Sequence, residues 1–368
     1  MTSLVKETIP LNQKQTLIVE HVLAKALAWK EHPYDASKRE QFCLLTLGEA
    51  GVGKSWAIKG IMAGMDLLSR KNEVIVMGPT GTAADNIGGS TCHTALGIGI
   101  GKKQKPDVAP RVKRLWAKKT IMVIDEVSMV SLDTLALINR QCKAAKAQAV
   151  TSPDLFGGLP IVIFMGDFFQ FCPVRGRALW QDPRPGNEDD ATGRLIWQRF
   201  NNVVILDQQM RQAEDPAFRS FLARARAGSL TDEDLHQLNS KVISSLSSPE
   251  MESATSIVRL NALRQCINRC QLYNFARRRR QWVYVFPVRT VSTRRSPLSV
   301  EKLLHQPDEG TKCPFPGLFL YSAGMPAMVL TNVCTSMGQV NGARGTVTGI
   351  VVDPTGMYYL YILSFVYH

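Results

Sequence analysis

The chain has 368 residues, of which 45% are hydrophobic, so it can hold one large domain or two to three smaller ones with real cores. Its formal net charge of +13 at pH 7 favours a polyanionic partner, above all nucleic acid. A basic protein without such a partner has the same charge, so charge alone does not decide between the two.

Secretion, membrane insertion and zinc binding are all disfavoured. Lys6, Glu7 and Gln13 interrupt the N-terminal apolar residues, and no apolar run approaches the roughly 20 residues that span a membrane. The eight cysteines form no Cys-x-x-Cys pair, and Cys266 and Cys270 have no matching pair of His or Cys nearby. We therefore expect a soluble, intracellular protein with reduced thiols and no membrane partner.

The first predicted element is an amphipathic helix over residues 11–31, which begins Leu-Asn-Gln-Lys-Gln. Gln15 stands upstream of a glycine-rich loop, and its amide both donates and accepts, as the edge of an adenine base requires. Taken alone, a solvated helix glutamine is the favoured interpretation.

The strongest single motif is Gly-x-x-x-x-Gly-Lys-Ser, which is typical of a phosphate-binding loop. Its residues are Gly48, Glu49, Ala50, Gly51, Val52, Gly53, Lys54 and Ser55. Phe42–Leu47 before it predicts a buried strand, and Trp56–Leu68 after it predicts a helix. In that setting the glycine N–H groups surround the β-phosphate, Lys54 reaches the β- and γ-phosphates, and Ser55 binds Mg²⁺. An ordinary glycine turn is disfavoured by the same setting.

A second buried strand is predicted over Glu73–Met77, and Thr80 and Thr82 follow its carboxyl end. Ligands bind at this edge of open α/β sheets, and small hydroxyl residues suit nucleic-acid phosphates. A threonine that caps the next helix explains the pattern equally well.

The segment 101–116 is strongly basic, with Asp107 as its single acid. Its cations are Lys102, Lys103, Lys105, Arg111, Lys113 and Arg114. The segment is interpreted as a small surface insertion that either touches nucleic acid or is a solvated basic loop, at even odds.

The second strong signal is the apolar run Thr120–Ile124, which ends in Asp125 and Glu126. A buried parallel strand would deliver both carboxylates to the sheet edge that holds Lys54. There Asp125 would hold Mg²⁺ through water, and Glu126 would orient and deprotonate the attacking water. Two acids at the end of a buried strand are costly unless a metal or partner meets them, so a strand that simply exits into solvent is disfavoured.

Two further strands are predicted over Leu159–Met165 and Asn202–Leu206. Gln170 follows the first and would project toward the γ-phosphate, where it could sense ATP against ADP. Arg211 follows the second and could act as an arginine finger from the neighbouring domain. Without context, an exposed surface arginine is the favoured interpretation of Arg211.

The remaining chain suggests a second α/β domain after residue 205. Residues 181–193 are predicted to be a polar loop, and Ser256–Leu260 a strand that leads to a helix from Asn261 to about Arg277. From Pro316 onward, short apolar runs divided by glycines predict a small barrel-like β module.

Taken in order, these motifs resemble the superfamily 1 DNA helicases of subgroup B, which move 5′-to-3′. The likeness is greatest to the PIF-type (petite integration frequency) helicases and to the helicase segment of Helitron transposons. The motifs that carry it are Leu11-x-x-x-Gln15, Gly48–Ser55, Gly78–Ala84 with Asn86–His93, Asp125–Met129, Gly166–Gln170, Gln209–Arg211, and Gly324–Asn332 with Val340–Gly345.

The resemblance implies an α/β fold: a P-loop NTPase with a RecA-like parallel sheet, then a second, incomplete RecA-like domain with a small SH3-like β insertion. The RecA-like ATPase domain would span 1–204, with a small basic wedge insertion at about 94–117. The first part of the second RecA-like domain would span 205–315, and the SH3-like module 316–368.

The resemblance also implies ATP and Mg²⁺ as cofactors, and single-stranded DNA and duplex junctions as partners of a monomer. Gln15 would read adenine, and Gln170 and Arg211 would contact the γ-phosphate. The residues that would carry hydrolysis are Lys54, Ser55, Asp125 and Glu126. The residues that would lie along single-stranded DNA are Thr80, Thr82 and His93. The nucleus is the expected location, with the mitochondrion as the alternative, and repair, recombination, telomere and transposon roles stay open.

The family's Ser-Gln-Gly motif does not occur in this sequence, and no Leu-Ser-Arg motif follows the glycine-rich β module; Leu68-Ser69-Arg70 lies too early in the chain and in the wrong context. We therefore expect a truncated helicase with weak or absent unwinding. The alternative is a helicase remnant that binds ATP and single-stranded DNA without unwinding. A third class, a P-loop switch or AAA-type ATPase acting on proteins, is disfavoured by the Thr-Gly-Thr and Asp-Phe-Phe-Gln motifs.

Overall fold

A computed structural model describes residues 2–31, 40–99, 108–147, 154–243, 254–287, 316–329, 342–352 and 360–367. The chain divides into two compact units, Met1–Leu235 and His236–His368. The predicted RecA-like domain over 1–204 lies inside the first unit, which continues to Leu235. The finer division of the chain into domains stays a prediction.

The first unit is built on a six-stranded, all-parallel sheet with the order β3-β2-β4-β5-β1-β6. Its strands are β1 Phe42–Gly48, β2 Val74–Gly78, β3 Ser90–Thr91, β4 Ile121–Ile124, β5 Ile161–Gly166 and β6 Asn202–Leu206. The five strands predicted from apolar runs are therefore confirmed within two residues at each end. Because the sheet is parallel, all of its carboxyl ends lie along one edge.

Helices surround this sheet. They are α1 Thr2–Thr8, α2 Gln13–Glu31, α3 Lys54–Leu67, α4 Gly81–Asn86, α5 Cys92–Leu96, α6 Pro110–Trp116, α7 Leu132–Ala145, α8 Glu188–Trp197, α9 Pro216–Ala227 and α10 Asp232–Asn239. Alternate strand residues enter two separate cores: Ile161 and Ile163 pack with α2 and α3, whereas Val162 and Phe164 pack with α5, α7 and α8. Burial on both faces explains why β1, β2, β4 and β5 are largely apolar, whereas the edge strand β6 leaves Val203 and Ile205 about half exposed.

Helix α8 corrects the prediction of a polar loop over residues 181–193. The Asn187 side chain accepts a hydrogen bond from the Asp190 N–H at 2.9 Å and caps the helix. Three acids occupy the first turn, where they complement the partial positive charge of the helix N-terminus. Asp190 also pairs with Arg184 at 2.6 Å. The polar composition therefore marked a helix start, and only part of the segment is a loop.

The described elements of the second unit are α11 Asn261–Arg278, β7 Tyr284–Pro287, β8 Leu318–Tyr321, β9 Pro326–Met328, β10 Arg344–Val352 and β11 Leu360–Tyr367. β7 pairs antiparallel with β8, and β9, β10 and β11 form an antiparallel sheet in the order β11-β10-β9. The β texture predicted from residue 316 is thus confirmed in the described segments. Barrel closure and likeness to an SH3 domain stay predictions.

The strand predicted over Ser256–Leu260 is wrong: these residues are described and form no strand. Ile257 is 98% exposed, so the apolar run has no buried face to pack on. A strand needs a hydrogen-bonded neighbour and packed side chains, and apolar residues alone supply neither.

Among the helices of the described ranges, none is long and apolar enough to cross a membrane.

Candidate nucleotide-binding site

The glycine-rich loop connects the end of β1 to the first residue of α3, as the motif predicts. Gly51 and Gly53 have φ values of +89° and +84°, a region that residues with a side chain rarely adopt. A β-carbon at Gly51 would collide with Gln209 Oε1, and one at Gly53 would collide with Gln15 Nε2. Both glycines are therefore required by the backbone conformation, and each is approached closely by the end of a glutamine side chain.

Gln15 supports one side of the loop. Its side chain is 2% exposed, and Nε2 donates to the carbonyl oxygens of Val52 at 3.3 Å and Gly53 at 3.2 Å. Its Oε1 accepts from the Asn12 N–H at 2.9 Å, which fixes the start of α2. Gln15 is thus a buried side chain bound to the phosphate loop, and the solvated alternative is wrong. Its reading of adenine stays a prediction.

The segment after β6 supports the other side of the loop. Gln209 Nε2 donates to the Ala50 carbonyl at 2.9 Å, and the N–H groups of Met210 and Arg211 donate to the Gly51 carbonyl at 2.9 and 3.2 Å. Arg211 therefore lies beside the loop within the first compact unit, whereas the sequence suggested that it reaches in from a neighbouring domain. The pairing of β6 with β1 brings this segment to the loop.

Lys54 is buried at the start of α3, with 8% of its surface exposed. Its ammonium donates to the carbonyl oxygens of Gly48 at 2.7 Å and Glu49 at 3.0 Å, so two of its three hydrogens are used and one is available for a phosphate oxygen. Burial lowers the pKa of Lys54, and the charges of Asp125 and Glu126 oppose that shift.

Asp125 and Glu126 follow β4, where the Asp125 N–H donates to the Met77 carbonyl at 2.9 Å. The Asp125 side chain is 6% exposed, and in the described chain its one hydrogen bond comes from the Glu126 N–H at 2.9 Å. Burial raises the pKa of Asp125, while that N–H and Lys54 act against the rise. Burial and the neighbouring Asp125 charge raise the pKa of Glu126.

Glu126 has a φ of +51°, which places a non-glycine residue in the left-handed region. Such a conformation costs about 1–3 kcal/mol and is found where the surrounding structure enforces it, often at functional sites. The sequence contained no signal for this turn.

The three residues predicted to lie along DNA sit elsewhere on the same sheet edge. The Thr80 hydroxyl accepts from the Ala83 N–H at 3.2 Å and caps α4, as the structural alternative predicted. Thr82 on α4 and His93 on α5 are exposed. These helices follow β2 and β3, which β4 and β5 separate from β1 and the phosphate loop. The sheet thus holds the two groups of residues apart.

The basic segment is only partly described. Lys102, Lys103 and Lys105 lie outside the described residues. The other three cations lie on α6, which buries Val112 and Trp116. This part of the segment is therefore an amphipathic helix and not a solvated loop.

One charged residue at the site carried no motif signal. Arg226 on α9 donates from Nη1 to Asp167 Oδ2 at 2.8 Å and lies 3.4 Å from Glu49 Oε1. Its guanidinium stacks over the Phe169 ring at 4.3 Å. Asp167 is 59 residues away in sequence, so no local pattern links the pair. The signal that could have found it was the acid at a buried strand end, which needs a partner.

Asp167 accepts hydrogen bonds from several groups at the site. It is 3% exposed, and its carboxylate accepts from Arg226, from the Phe169 N–H at 3.1 Å and from Gln170 Nε2 at 3.4 Å. Burial alone would raise the pKa of Asp167, but these hydrogen bonds lower it below its usual value. Gln170 is therefore attached to the end of β5 through Asp167.

A parallel sheet with a glycine loop, a buried lysine and two carboxylates at its carboxyl edge defines a P-loop nucleoside triphosphatase of the α/β class. The RecA-like parallel sheet expected from the sequence is confirmed. A model of the PIF1-like helicase family matches residues 11–234, more than half of the chain, and the chain belongs to that family.

The chain is 29% identical over 316 residues to the ATP-dependent DNA helicase PIF1 of Homo sapiens, a match that covers 84% of this chain and 44% of the human protein. It is 28% identical over 346 residues to the helicase PIF7 of Trypanosoma brucei brucei, covering 88% of this chain and 33% of that protein. The chain thus spans less than half the length of these curated relatives.

Two solved structures share the fold. The crystal structure of Pif1 helicase from Candida albicans has a TM-score of 0.64 and 23% identity, and covers 98% of this chain and 76% of that one. The crystal structure of Bacteroides Pif1 bound to single-stranded DNA has a TM-score of 0.60 and 22% identity, covering 93% and 70%.

Proposed function

We propose that this chain hydrolyses ATP and uses the energy to move 5′-to-3′ along single-stranded DNA, with at most weak opening of duplex junctions. The observation that carries the proposal is the convergence of Lys54, Asp125 and Glu126 at one sheet edge, beside a loop shaped for phosphates, in a member of the PIF1-like helicase family. The activity of the longer relatives supports it, because the human relative is an ATP-dependent DNA helicase.

The residues present fit a nucleotide triphosphate. The two positive-φ glycines give the loop the backbone conformation that a phosphate-binding loop needs, and Lys54 has a hydrogen to offer a phosphate oxygen. Gln170 and Arg211 are proposed to contact the γ-phosphate, and Gln15 to lie at the base. The support for these roles is that Arg211 and Gln15 both hydrogen-bond to the loop.

The residues also fit Mg²⁺. Asp125 is a buried carboxylate with a single hydrogen bond in the described part of the chain, and such a group needs a cation. The Ser55 hydroxyl is a hard ligand that Mg²⁺ would take together with phosphate oxygens, and Asp125 would hold the ion through water. When bound, the ion would neutralise charge on the phosphates. Glu126 is proposed to accept a proton from the attacking water, and its raised pKa supports that role.

For DNA, we propose the exposed face formed by α4 and α5, with Thr80, Thr82 and His93. The support is its position at the sheet edge, away from the phosphate loop, and the net charge of +13. A single copy is proposed to suffice for hydrolysis. The nucleus is the proposed location, with the mitochondrion as the alternative, and fluorescence imaging of the tagged chain tests it.

The deciding experiment measures ATP hydrolysis with Mg²⁺, with and without single-stranded DNA. Wild type should be stimulated by DNA, and Lys54→Ala should lower turnover by about 10²-fold or more, the usual effect of removing a charge-stabilising donor. Lys59→Ala is the matched control, because Lys59 is an exposed lysine on the same helix, stacked on Trp56. Absence of DNA-stimulated hydrolysis in wild type would refute the proposal.

Strand displacement on a duplex with a 5′ tail then separates two activities. Unwinding supports a complete motor. Hydrolysis and DNA binding without unwinding support the alternative, a protein that binds ATP and single strands but does not open duplexes.

A further inference from the structure

The Asp167 carboxylate connects three parts of the site. It anchors its own turn through the Phe169 N–H, it holds the Gln170 amide at 3.4 Å, and it receives Arg226 from α9. Arg226 in turn lies 3.4 Å from Glu49 of the phosphate loop. One guanidinium therefore bridges the loop and the turn that carries Gln170.

The charges around Lys54 show why that guanidinium matters. Three carboxylates, Asp125, Glu126 and Asp167, act electrostatically on Lys54, and Glu49 lies in the loop itself. A triphosphate adds further negative charge at the same place. Without Arg226, Asp167 would be a buried carboxylate with no cation paired to it, facing the end of the nucleotide that Gln170 is proposed to contact.

We propose that Arg226 is a positioning residue that neutralises Asp167 and fixes Gln170, so that the site binds a triphosphate in preference to a diphosphate. This inference rests on the proposed ATP hydrolysis. Its specific content is selective: the loop backbone surrounds phosphates that ADP and ATP share, whereas the turn at Gln170 is proposed to contact the γ-phosphate, which only ATP has. Loss of Arg226 should therefore affect ATP more than ADP.

The chain offers a matched control on the same helix. Arg224 makes an equivalent two-point ion pair with Asp234, with Nε at 2.7 Å from Oδ2, and Asp234 is 4% exposed. Arg224→Gln thus breaks a comparable pair on α9 without touching the phosphate loop or Asp167. A general weakening of α9 would appear in both variants, whereas the proposed effect belongs to Arg226 alone.

The experiment measures Kd for ADP and for a non-hydrolysable ATP analogue, together with kcat, in the full chain. Arg226→Gln should weaken the analogue by about tenfold and ADP by less than about threefold, because the two-point pair with buried Asp167 at the γ-phosphate end is lost, whereas the pair with Glu49 is longer, half-exposed and worth little. The value of kcat should fall at least as much. Arg224→Gln should leave both Kd values within about twofold.

Two further variants keep the test informative if Arg226→Gln folds poorly. Arg226→Lys retains the charge but not the planar two-point geometry, so it should recover part of the analogue affinity. Adding Asp167→Asn to Arg226→Gln removes the unpaired carboxylate and should also recover analogue affinity, although kcat stays low because Gln170 is no longer fixed.

Equal losses for ADP and the analogue, or equal losses in Arg224→Gln, would overturn the assignment of Arg226. No recovery of analogue affinity in either Arg226→Lys or the double variant would overturn it as well. Failure of the wild-type chain to bind either nucleotide would instead refute the proposed function, so the two failures are distinguishable.

Discussion

The two compact units bury their strands in different ways. In the first, the central strands of the parallel sheet are buried on both faces, and two separate cores contain fully buried side chains such as Trp116, Phe156 and Phe164. In the second, the described strands belong to a two-stranded and a three-stranded antiparallel sheet. Their shared buried cluster consists of Phe286, Tyr321, Met325 and Val347.

This difference bears on where precise chemistry can be built. Carboxylates placed at the ends of strands that are packed on both faces cannot drift, and this rigidity is what a phosphate site needs. Asp125 and Asp167 have such positions in the first unit. The described helix of the second unit, α11, buries Ala276 but leaves Tyr273 and Leu263 about half exposed. We therefore expect core substitutions to cost more in the first unit than in the second.

The largest effect is expected for Phe164→Ala. The Phe164 ring is fully buried and stacks on Phe200 with the centroids 4.0 Å apart. Truncating a buried phenylalanine costs about 3–5 kcal/mol of unfolding free energy, because it leaves a cavity between packed layers. Urea unfolding of the first unit, followed by circular dichroism, measures the loss.

Phe171→Ala is the control for that substitution. Phe171 is 81% exposed, so its removal should change the unfolding free energy by about 0.5 kcal/mol or less. If Phe164→Ala were as mild as Phe171→Ala, the first unit would not be the tightly packed scaffold that its geometry indicates.

The sequence predicted the sheet of the first unit better than it predicted the start of a helix or a side-chain pair within that unit. The strands around Lys54, Asp125 and Gln170 were predictable, because each is a fully apolar run followed by a polar motif. Their convergence was predictable because the carboxyl ends of parallel strands lie along one edge of the sheet. Helix α8 was missed because its acidic first turn has the composition of a loop, although an Asn cap followed by acids was readable.

Arg226 was not predictable in the same way. Its role depends on a partner on another element, and the packing of α9 against the end of β5 is a tertiary fact that no local pattern encodes. The exposed Ile257 shows the opposite error, because a strand was predicted over Ser256–Leu260 where the structure has none. An apolar run predicts a strand only if the fold supplies a surface to cover it, and the sequence does not state whether it does.

A smaller effect is expected for Val347→Ala in the second unit. Val347 is 1% exposed on β10 and belongs to the four-residue cluster. Loss of its methyl groups should cost about 1–2 kcal/mol, from the value for each buried carbon. The matched control is Val285→Ala on β7, because Val285 is 50% exposed. A cost for Val347→Ala equal to that of Phe164→Ala would contradict the contrast between the units.

The least invasive test is thiol labelling, which changes no residue. Cys43, Cys92 and Cys142 are buried in the first unit, and burial raises the pKa of Cys43 to about 11 and that of Cys92 to about 12. Cys266 and Cys270 are exposed on α11. Since the thiolate is the reactive form, a raised pKa and burial both protect the first group.

Iodoacetamide at pH 8, followed by peptide mass spectrometry, should modify Cys266 and Cys270 in the native chain while Cys43, Cys92 and Cys142 stay unmodified until urea unfolds the first unit. Cys172 refines the comparison, because it is exposed although it belongs to the first unit. It should react as fast as the α11 cysteines, since protection follows local burial and not the unit as a whole. Early modification of Cys92 would show that the first unit opens locally without global unfolding. The two units would then differ only in how well they protect their cysteines, and not in whether they do.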